Sequence, residues 1–242
     1  EYHEYMKKGG VYEGILQAKE DGLVRHICCT THLKGDDIFT VIKDGYFEAV
    51  TLGYNAINFS YRQKGLDACY DKGLGIVTMN PLSGGLIPQH PDFFSFLQQP
   101  GDSLVVSALK FILAPRKATV ALVGFSCIEE VKEAVLAAKD LKDVKEDYLE
   151  SMSKHLMSEM NSLCTGCGYC DSCPEGIQIP KLMDSYNMYL LSHDIKRAKG
   201  RMDNHWSVSQ QEASLCTACG QCETLCTQHL PIISRLKDIT QF

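Results

Sequence analysis

Basic charge is in short supply in this chain of 242 residues: 24 Lys and Arg stand against 30 Asp and Glu, a net charge of -6. A surface for nucleic acid or acidic lipid needs clustered Lys and Arg, so neither partner is expected. Long apolar runs are also missing, and none approaches the roughly 18 to 20 residues of a membrane span. The opening, "EYHEYMKKGG", is polar and has no signal-peptide pattern. It does not begin with Met. No GxGxxG opens the first βα turn, so a Rossmann dinucleotide site has no support. No flavin motif is present either. What remains is the composition of an ordinary globular protein, 45% hydrophobic and 22% charged, expected to be cytoplasmic.

Cysteine is the exception to this scarcity, with 12 residues. Eight lie in two tight groups, in "LCTGCGYCDSCPEGIQIP" (163–180) and "LCTACGQCETLCTQHLPI" (215–232), which nearly repeat each other. A secreted disulfide scaffold is shorter and uses wider, more varied spacings. Reduced thiols serving as metal ligands fit better. Three thiolates at i, i+3 and i+6 can wrap one iron–sulfur cubane and hold three of its irons. The fourth iron takes a cysteine from a distance, as in two-cluster ferredoxins. That logic assigns Cys164, Cys167, Cys170 and Cys226 to one [4Fe–4S] cluster, and Cys216, Cys219, Cys222 and Cys173 to the other. Gly166, Gly168 and Gly220 are expected to let backbone amides approach the sulfides. Zinc is the competing reading. Structural zinc usually takes two separated pairs, and a continuous CxxCxxCxxC has a surplus of thiols for one ion. Cys28, Cys29, Cys69 and Cys127 read as small core or strand-end residues.

Apolar runs alternate with amphipathic ones from about Gly10 to Ala138. "LVRHICCT", "FEAVTLGYN", "LGIVTMN" and "ATVALVG" read as strands. "VYEGILQAKEDG", "DDIFTVIKDGY", "RQKGLDACYDKG", "GDSLVVSALKFILA" (capped by Asp102 or Ser103) and "CIEEVKEAVLAA" read as helices. Four βα units in a row predict a parallel sheet covered by helices. They amount to half of an eight-stranded barrel, with an open doubly wound sheet as the alternative. The expected domains are a barrel half over 1–140, a charged helical connector over 141–162 and a ferredoxin-like region over 163–242. A helix is expected from about Pro180 to Lys199, followed by a polar loop around "GRMDNHWSVSQQ". The last region reads as too polar for a large core of its own.

Taken together, these stretches resemble the aldo/keto reductases that carry a C-terminal region with two [4Fe–4S] clusters. "GGVYEGILQAKEDGLVRHICCTTH" looks like the helix and fifth strand of that barrel, and "VTLGYNAIN" like the sixth strand. "GLGIVTMNPLSGGLIP" looks like the seventh strand and its loop. "ALKFILAPRKATVALVGFSCIEEVKEAV" looks like the last helices and the eighth strand. The resemblance implies an α/β fold: the C-terminal half of a TIM (β/α)8 barrel followed by a small α-helical ferredoxin-like domain. It implies an oxidoreductase that exchanges hydride between NAD(P) and a small carbonyl or alcohol substrate, with a one-electron redox partner. The family's catalytic Asp, Tyr, Lys and His lie on the first half of its barrel, so no catalytic residue is expected here and the chain looks like a fragment. His32 matches a turn histidine of the family, not its catalytic one. By resemblance, Thr30 and Thr31 face the nicotinamide carboxamide, Met79 the ring, and Asn80, Leu82 and Gly84 the pyrophosphate loop. Gly124 opens the stretch that grips the adenosine end. Three positions depart from the family pattern. Thr51 replaces a Gln, Glu130 falls where an Arg would pair with a 2′-phosphate, and Ala134 replaces an Asn on adenine. The alternative reading is a non-enzymatic electron carrier on a degenerate half barrel. A hydride moves two electrons and a cubane one, so direct coupling of the two sites needs an intermediary.

Overall fold

The computed structural model describes residues 2–33, 35–139, 141 and 163–242. The connector expected over 141–162 falls, from residue 142 on, outside the described residues. Four strands, β1 (Cys28–Thr31), β2 (Ala49–Gly53), β3 (Gly75–Met79) and β4 (Val120–Leu122), form one sheet in the order β1-β2-β3-β4. Every pair is parallel, with Cys28 opposite Ala49, Ala49 opposite Gly75 and Val77 opposite Val120. Each strand is followed by helix: α3 (Phe39–Ile42), α4 (Phe59–Asp71), α7 (Leu104–Leu113) and α8 (Ile128–Lys139), with α1 (Tyr2–Met6) and α2 (Val11–Glu20) preceding β1.

The period of two along a strand sorts side chains to two faces. Val50, Leu52, Ile76 and Thr78 share one face and are wholly buried. In register on the other face stand Thr30, Thr51, Val77 and Met79, with Val120 and Leu122 on β4 exposed. The core beneath the buried face includes Tyr54, stacked on Phe111 at 6.2 Å, and Phe59, edge-on to Phe111 at 5.1 Å. A turn of side-chain hydrogen bonds pins the β2–α4 junction. Asn55 Oδ1 accepts from the amides of Ile57 (2.9 Å) and Asn58 (3.0 Å), and Asn58 Oδ1 accepts from the Asn55 amide (2.9 Å). The turn starts α4 three residues ahead of the expected "RQKGLDACYDKG". The helix expected in "DDIFTVIKDGY" shrinks to the single turn α3, and Gly45, at φ 72°, follows it.

The described residues group into two compact units. One runs from the start to Pro81 and resumes at Val106; the other joins Leu82–Val105 to everything from Leu163 onward. Leu82–Val105 holds two short helices, α5 (Leu86–Gln89) and α6 (Pro91–Phe94), and lies within the span expected as one barrel half. Inside the second unit, the Arg197 guanidinium lies 5.7 Å from the Phe93 ring.

Two longer helices, Ile179–Ser192 and Ile232–Ile239, frame the cysteine region. The first starts with Pro180 in its opening turn, where a missing amide costs nothing. It stops at Ser192, ahead of the expected Lys199, because His193 turns to φ 52°; a separate short helix, Ile195–Gly200, continues. Contrary to the polarity of its sequence, the region packs its own core of Ile177, Leu182, Met183, Met202, Leu230 and Leu236, with Cys170, Cys222 and Cys226 among them. The stretch expected as a polar loop is a π-helical turn, Arg201–Trp206. Met202 is buried there, and Asp184 accepts hydrogen bonds from Arg201 Nε (2.8 Å) and Trp206 Nε1 (2.5 Å).

Candidate metal centre

The two cysteine groups fold as one repeated backbone. Gly166 and Ala218 occupy matching positions and share the left-handed conformation, with φ 66° and 55°. Gly168 and Gly220 match in the same way, at φ 79° and 80°. Three residues beyond the last cysteine of each group, Gly176 and His229 again have positive φ, at 70° and 53°. Their amides bond back to the carbonyls of Cys173 and Cys226, both at 3.0 Å. A helix starts three residues later in each case, at Ile179 and at Ile232. At Gly166, Gly168 and Gly220 an added Cβ would meet no protein atom within 4 Å. Backbone conformation, not crowding by protein, accounts for glycine there.

This backbone brings the thiols together in a crossed pattern. Cys164 feels the charges of Cys170, Cys167 and Cys226, so the last cysteine of the second group stands with the first three of the first. Cys173 lines a small, partly open cavity with Cys216, Cys219 and Cys222. Cys170 borders that cavity too and interacts with Cys222, so the two sets adjoin through this pair. A two-point clamp fixes the start of the first group: Asn187, buried, donates to the Cys164 carbonyl and accepts from its amide, each at 2.8 Å.

Electrostatics favour an occupant of these sites that carries cations. Burial, followed by the neighbouring sulfurs, pushes the thiols of Cys164 and Cys170 up to about 12. Left alone, such sulfurs keep their protons; iron ions displace them and stabilise the thiolates. Among the described residues of the cysteine region, two buried polar atoms are also left without hydrogen-bond partners, Thr165 Oγ1 and Arg235 Nη1. Thr165 follows Cys164 directly, and the sulfurs of Cys164 and Cys226 act on the Arg235 charge. Buried donors of this kind call for an acceptor. A thiolate-ligated iron–sulfur core, anionic overall and rich in sulfur acceptors, supplies one, so these residues fit the group. Among the described residues, no three His, Cys, Asp or Glu are gathered as a single metal ion requires. All twelve cysteines are free of disulfides.

Sequence spacing gave no hint of Thr165, Asn187 or Arg235. An asparagine in an amphipathic helix and an arginine three residues before an aspartate look like surface residues in sequence. Only the fold turns them inward.

The positions assigned to a nicotinamide lie in both units. Thr30, Thr31, Met79, Asn80 and Gly124 stand at or just past the carboxyl ends of their strands, the edge where parallel α/β proteins place ligands. The Thr31 hydroxyl already accepts from the Leu33 amide at 3.1 Å. Asn80, at φ 59°, offers its carbonyl to Asn55 Nδ2 at 2.9 Å. Leu82 and Gly84 belong to the other unit, in a turn where Gly84 has φ 69°. Glu130 accepts hydrogen bonds from the amide (2.6 Å) and hydroxyl (3.0 Å) of Ser126, and the amide bond is the main cause holding its carboxyl below the usual range. It therefore presents a firmly ionised carboxylate at the start of α8. Within the sheet unit, the guanidinium of Arg62 bonds the carbonyls of His32 (2.9 Å) and Leu33 (2.5 Å), which fixes the turn after β1.

Fold and site together define a four-stranded parallel βα half barrel joined to an iron–sulfur region. Residues 163–230 match the family model of the 4Fe-4S dicluster domain. Among solved structures, the chain is similar to the aldo-keto reductase AKR11C1 from Bacillus halodurans in its holo form, with 15% identity and a TM-score of 0.52. That match covers 62% of this chain and 56% of the solved one, so the chain spans little more than half of that reductase. A thermostable aldo-keto reductase, Tm1743, in complex with the inhibitor epalrestat also matches, at 17% identity, 60% and 53% coverage and a TM-score of 0.47. No curated protein matches the chain. The barrel half thus has the fold of the aldo-keto reductases.

Proposed function

We propose that residues 163–242 hold two [4Fe–4S] clusters and form the electron-transfer part of an aldo-keto reductase-type oxidoreductase. Cys164, Cys167, Cys170 and Cys226 would ligate one cluster, and Cys216, Cys219, Cys222 and Cys173 the other. The observation that carries this reading is the crossed pairing: Cys226 stands with the first group, and Cys173 shares a cavity with the second. Bound there, the clusters supply one-electron transfer. The protein's own groups orient and shield them. Asn187 clamps the first ligand, the core around Leu182 and Leu236 excludes water, and Cys170 and Cys222 adjoin between the two sets.

Anaerobically purified protein should be brown and contain about eight irons per chain, four for each cubane. Protein that binds zinc and no iron sinks the assignment.

The whole protein would reduce a small carbonyl or oxidise an alcohol in the cytoplasm, with a one-electron redox partner. The same reading places NAD(P) at Thr30, Thr31, Met79, Asn80, Leu82, Gly84 and Gly124. The ionised Glu130 favours NADH over NADPH, since a carboxylate repels a 2′-phosphate. Fluorescence titration of the protein with each nucleotide tests that order; tighter binding of NADPH overturns it. A second reading, a non-enzymatic electron carrier in which neither nucleotide binds while the irons remain, is favoured by the Thr31 hydroxyl and Asn80 carbonyl already being bonded within the protein.

A further inference from the structure

The two cluster sites share one backbone but not one electrostatic setting. The helix Ile232–Ile239, which follows Cys226, turns Arg235 toward the first site and lines the second with Ile233 and Leu236. Nine residues after Cys226 stands Arg235; nine residues after Cys173 stands Leu182. Both are buried, at 4% and 0% exposure. One repeat therefore turns a cation inward where the other turns a leucine.

Arg235 is held there by its surroundings. Its guanidinium lies over the Tyr186 ring at 5.2 Å, and the Tyr186 hydroxyl donates to Asp238 Oδ2 at 2.7 Å. Among the described residues Arg235 makes no direct ion pair: the Asp238 carboxylate, engaged by Tyr186, acts on its charge without bonding it, and Nη1 has no hydrogen-bond partner. Burial of an unpaired charge is costly, so such a group is retained where an anion meets it. Cys164 and Cys226, ligands of the first site, are the sulfurs that act on it. The second site has the opposite bias. Glu175 lines its cavity, and Glu223 directly follows the ligand Cys222, held by the Ile233 amide at 2.9 Å.

We infer that Arg235 donates to the sulfur core ligated by Cys164, Cys167, Cys170 and Cys226, and splits the two reduction potentials so that this cluster is the first to accept an electron. Reduction adds a negative charge, which a nearby buried cation stabilises and nearby carboxylates oppose. Electrons entering the region then settle at the Cys164 side.

The inference rests on the two-cluster reading, and the test separates them. Iron is counted first, and chain without iron overturns both. Iron-loaded protein is then titrated anaerobically with dithionite, a one-electron reductant under these conditions, and followed by electron paramagnetic resonance. Two one-electron steps are expected. Arg235→Gln should lower the constant of the higher step at least tenfold, about 59 mV, and leave the lower step in place. Arg235→Lys, which keeps the charge, should stay within about threefold of the parent. Asp238→Asn, at an exposed position, should move the same step the other way, since it removes a carboxylate beside the arginine. That variant decides the matter if Arg235→Gln fails to retain iron. Two clusters that titrate together, or a higher step that none of these variants moves, overturn the inference while leaving the clusters intact.

Discussion

The two regions close their cores in opposite ways. In the cysteine region the helix Ile179–Ser192 buries eight residues and the helix Ile232–Ile239 buries four in eight. In the sheet region α2 buries none and α8 buries only Ala137, while Leu122, Ile128 and Leu136 stay more than half exposed. The smaller region has the fewer apolar residues yet encloses most of them, with Tyr169 and Leu215 more than half exposed, because its chain wraps around a centre made of thiols. The larger one has the apolar faces and leaves several of them open. Core closure here follows from what the chain can surround, not from how apolar it is. The largest expected effect tests that difference. Cys170→Ser should lose about half or more of the iron and lower the melting temperature of the cysteine region sharply, because a ligand and a core contact go together. Cys69→Ser, wholly buried in α4, should keep the iron and cost about 1–3 kcal/mol for the buried hydroxyl. Equal iron loss in the two variants would break the comparison.

The next effect belongs to the sheet region alone. Phe111 joins Tyr54 and Phe59 in its core, with 1% exposure. Phe111→Ala should destabilise that region by about 3–5 kcal/mol through lost burial and the cavity left behind. Iron content and visible absorbance should be unchanged if each region has its own core. Loss of iron in step with the sheet's unfolding would show one cooperative unit instead.

How much of this was legible differs between the regions for a physical reason. Strand period and turn glycines mark β2 to β4 and α2, α4, α7 and α8 well, because those signals are local, whereas the strand expected over "LVRHICCT" forms only from Cys28 on. The short α3 and the three-residue advance of α4 were not legible, since Gly45 and the Asn55–Asn58 turn decide them through backbone and side-chain hydrogen bonds. The cysteine groups announced themselves by spacing. Arg235 and Asn187 did not, because their burial depends on helices that meet only in the fold. The composition of the cysteine region pointed away from a core, since polarity counted over a stretch says nothing about which face turns inward.

A smaller effect sharpens the comparison within the cysteine repeat itself. Ala218 adopts φ 55° where its counterpart Gly166 has φ 66°. A residue with a Cβ is strained in that conformation by about 1–2 kcal/mol. Ala218→Gly relieves the strain but loosens the unfolded chain by about 0.4–1 kcal/mol. The net expectation is a gain between about 0 and about 1.6 kcal/mol in thermal or chemical unfolding of the region. Gly166→Ala should move stability the other way. A loss on Ala218→Gly would mean that its methyl packs usefully and that the two halves of the repeat are not equivalent.

The smallest effect lies at the surface of the sheet region and depends on pH. Glu48 accepts from His26 Nδ1 at 2.6 Å and from Lys19. Those bonds, His26 first, hold its carboxyl at about 2, below the ordinary 4.5. A folded value under the unfolded one means that the ionised form stabilises the fold. The contribution is complete above about 4.5 and fades as the pH falls through about 2. Because the cluster is exposed, water and salt screen it, and the change should be small and shrink further at high ionic strength. Glu48→Gln should flatten the acid limb of the unfolding curve slightly between those two values and leave stability near neutral pH lower by the same small amount. A variant whose acid limb is as steep as the parent's would show that the ordered ion group adds nothing in solution.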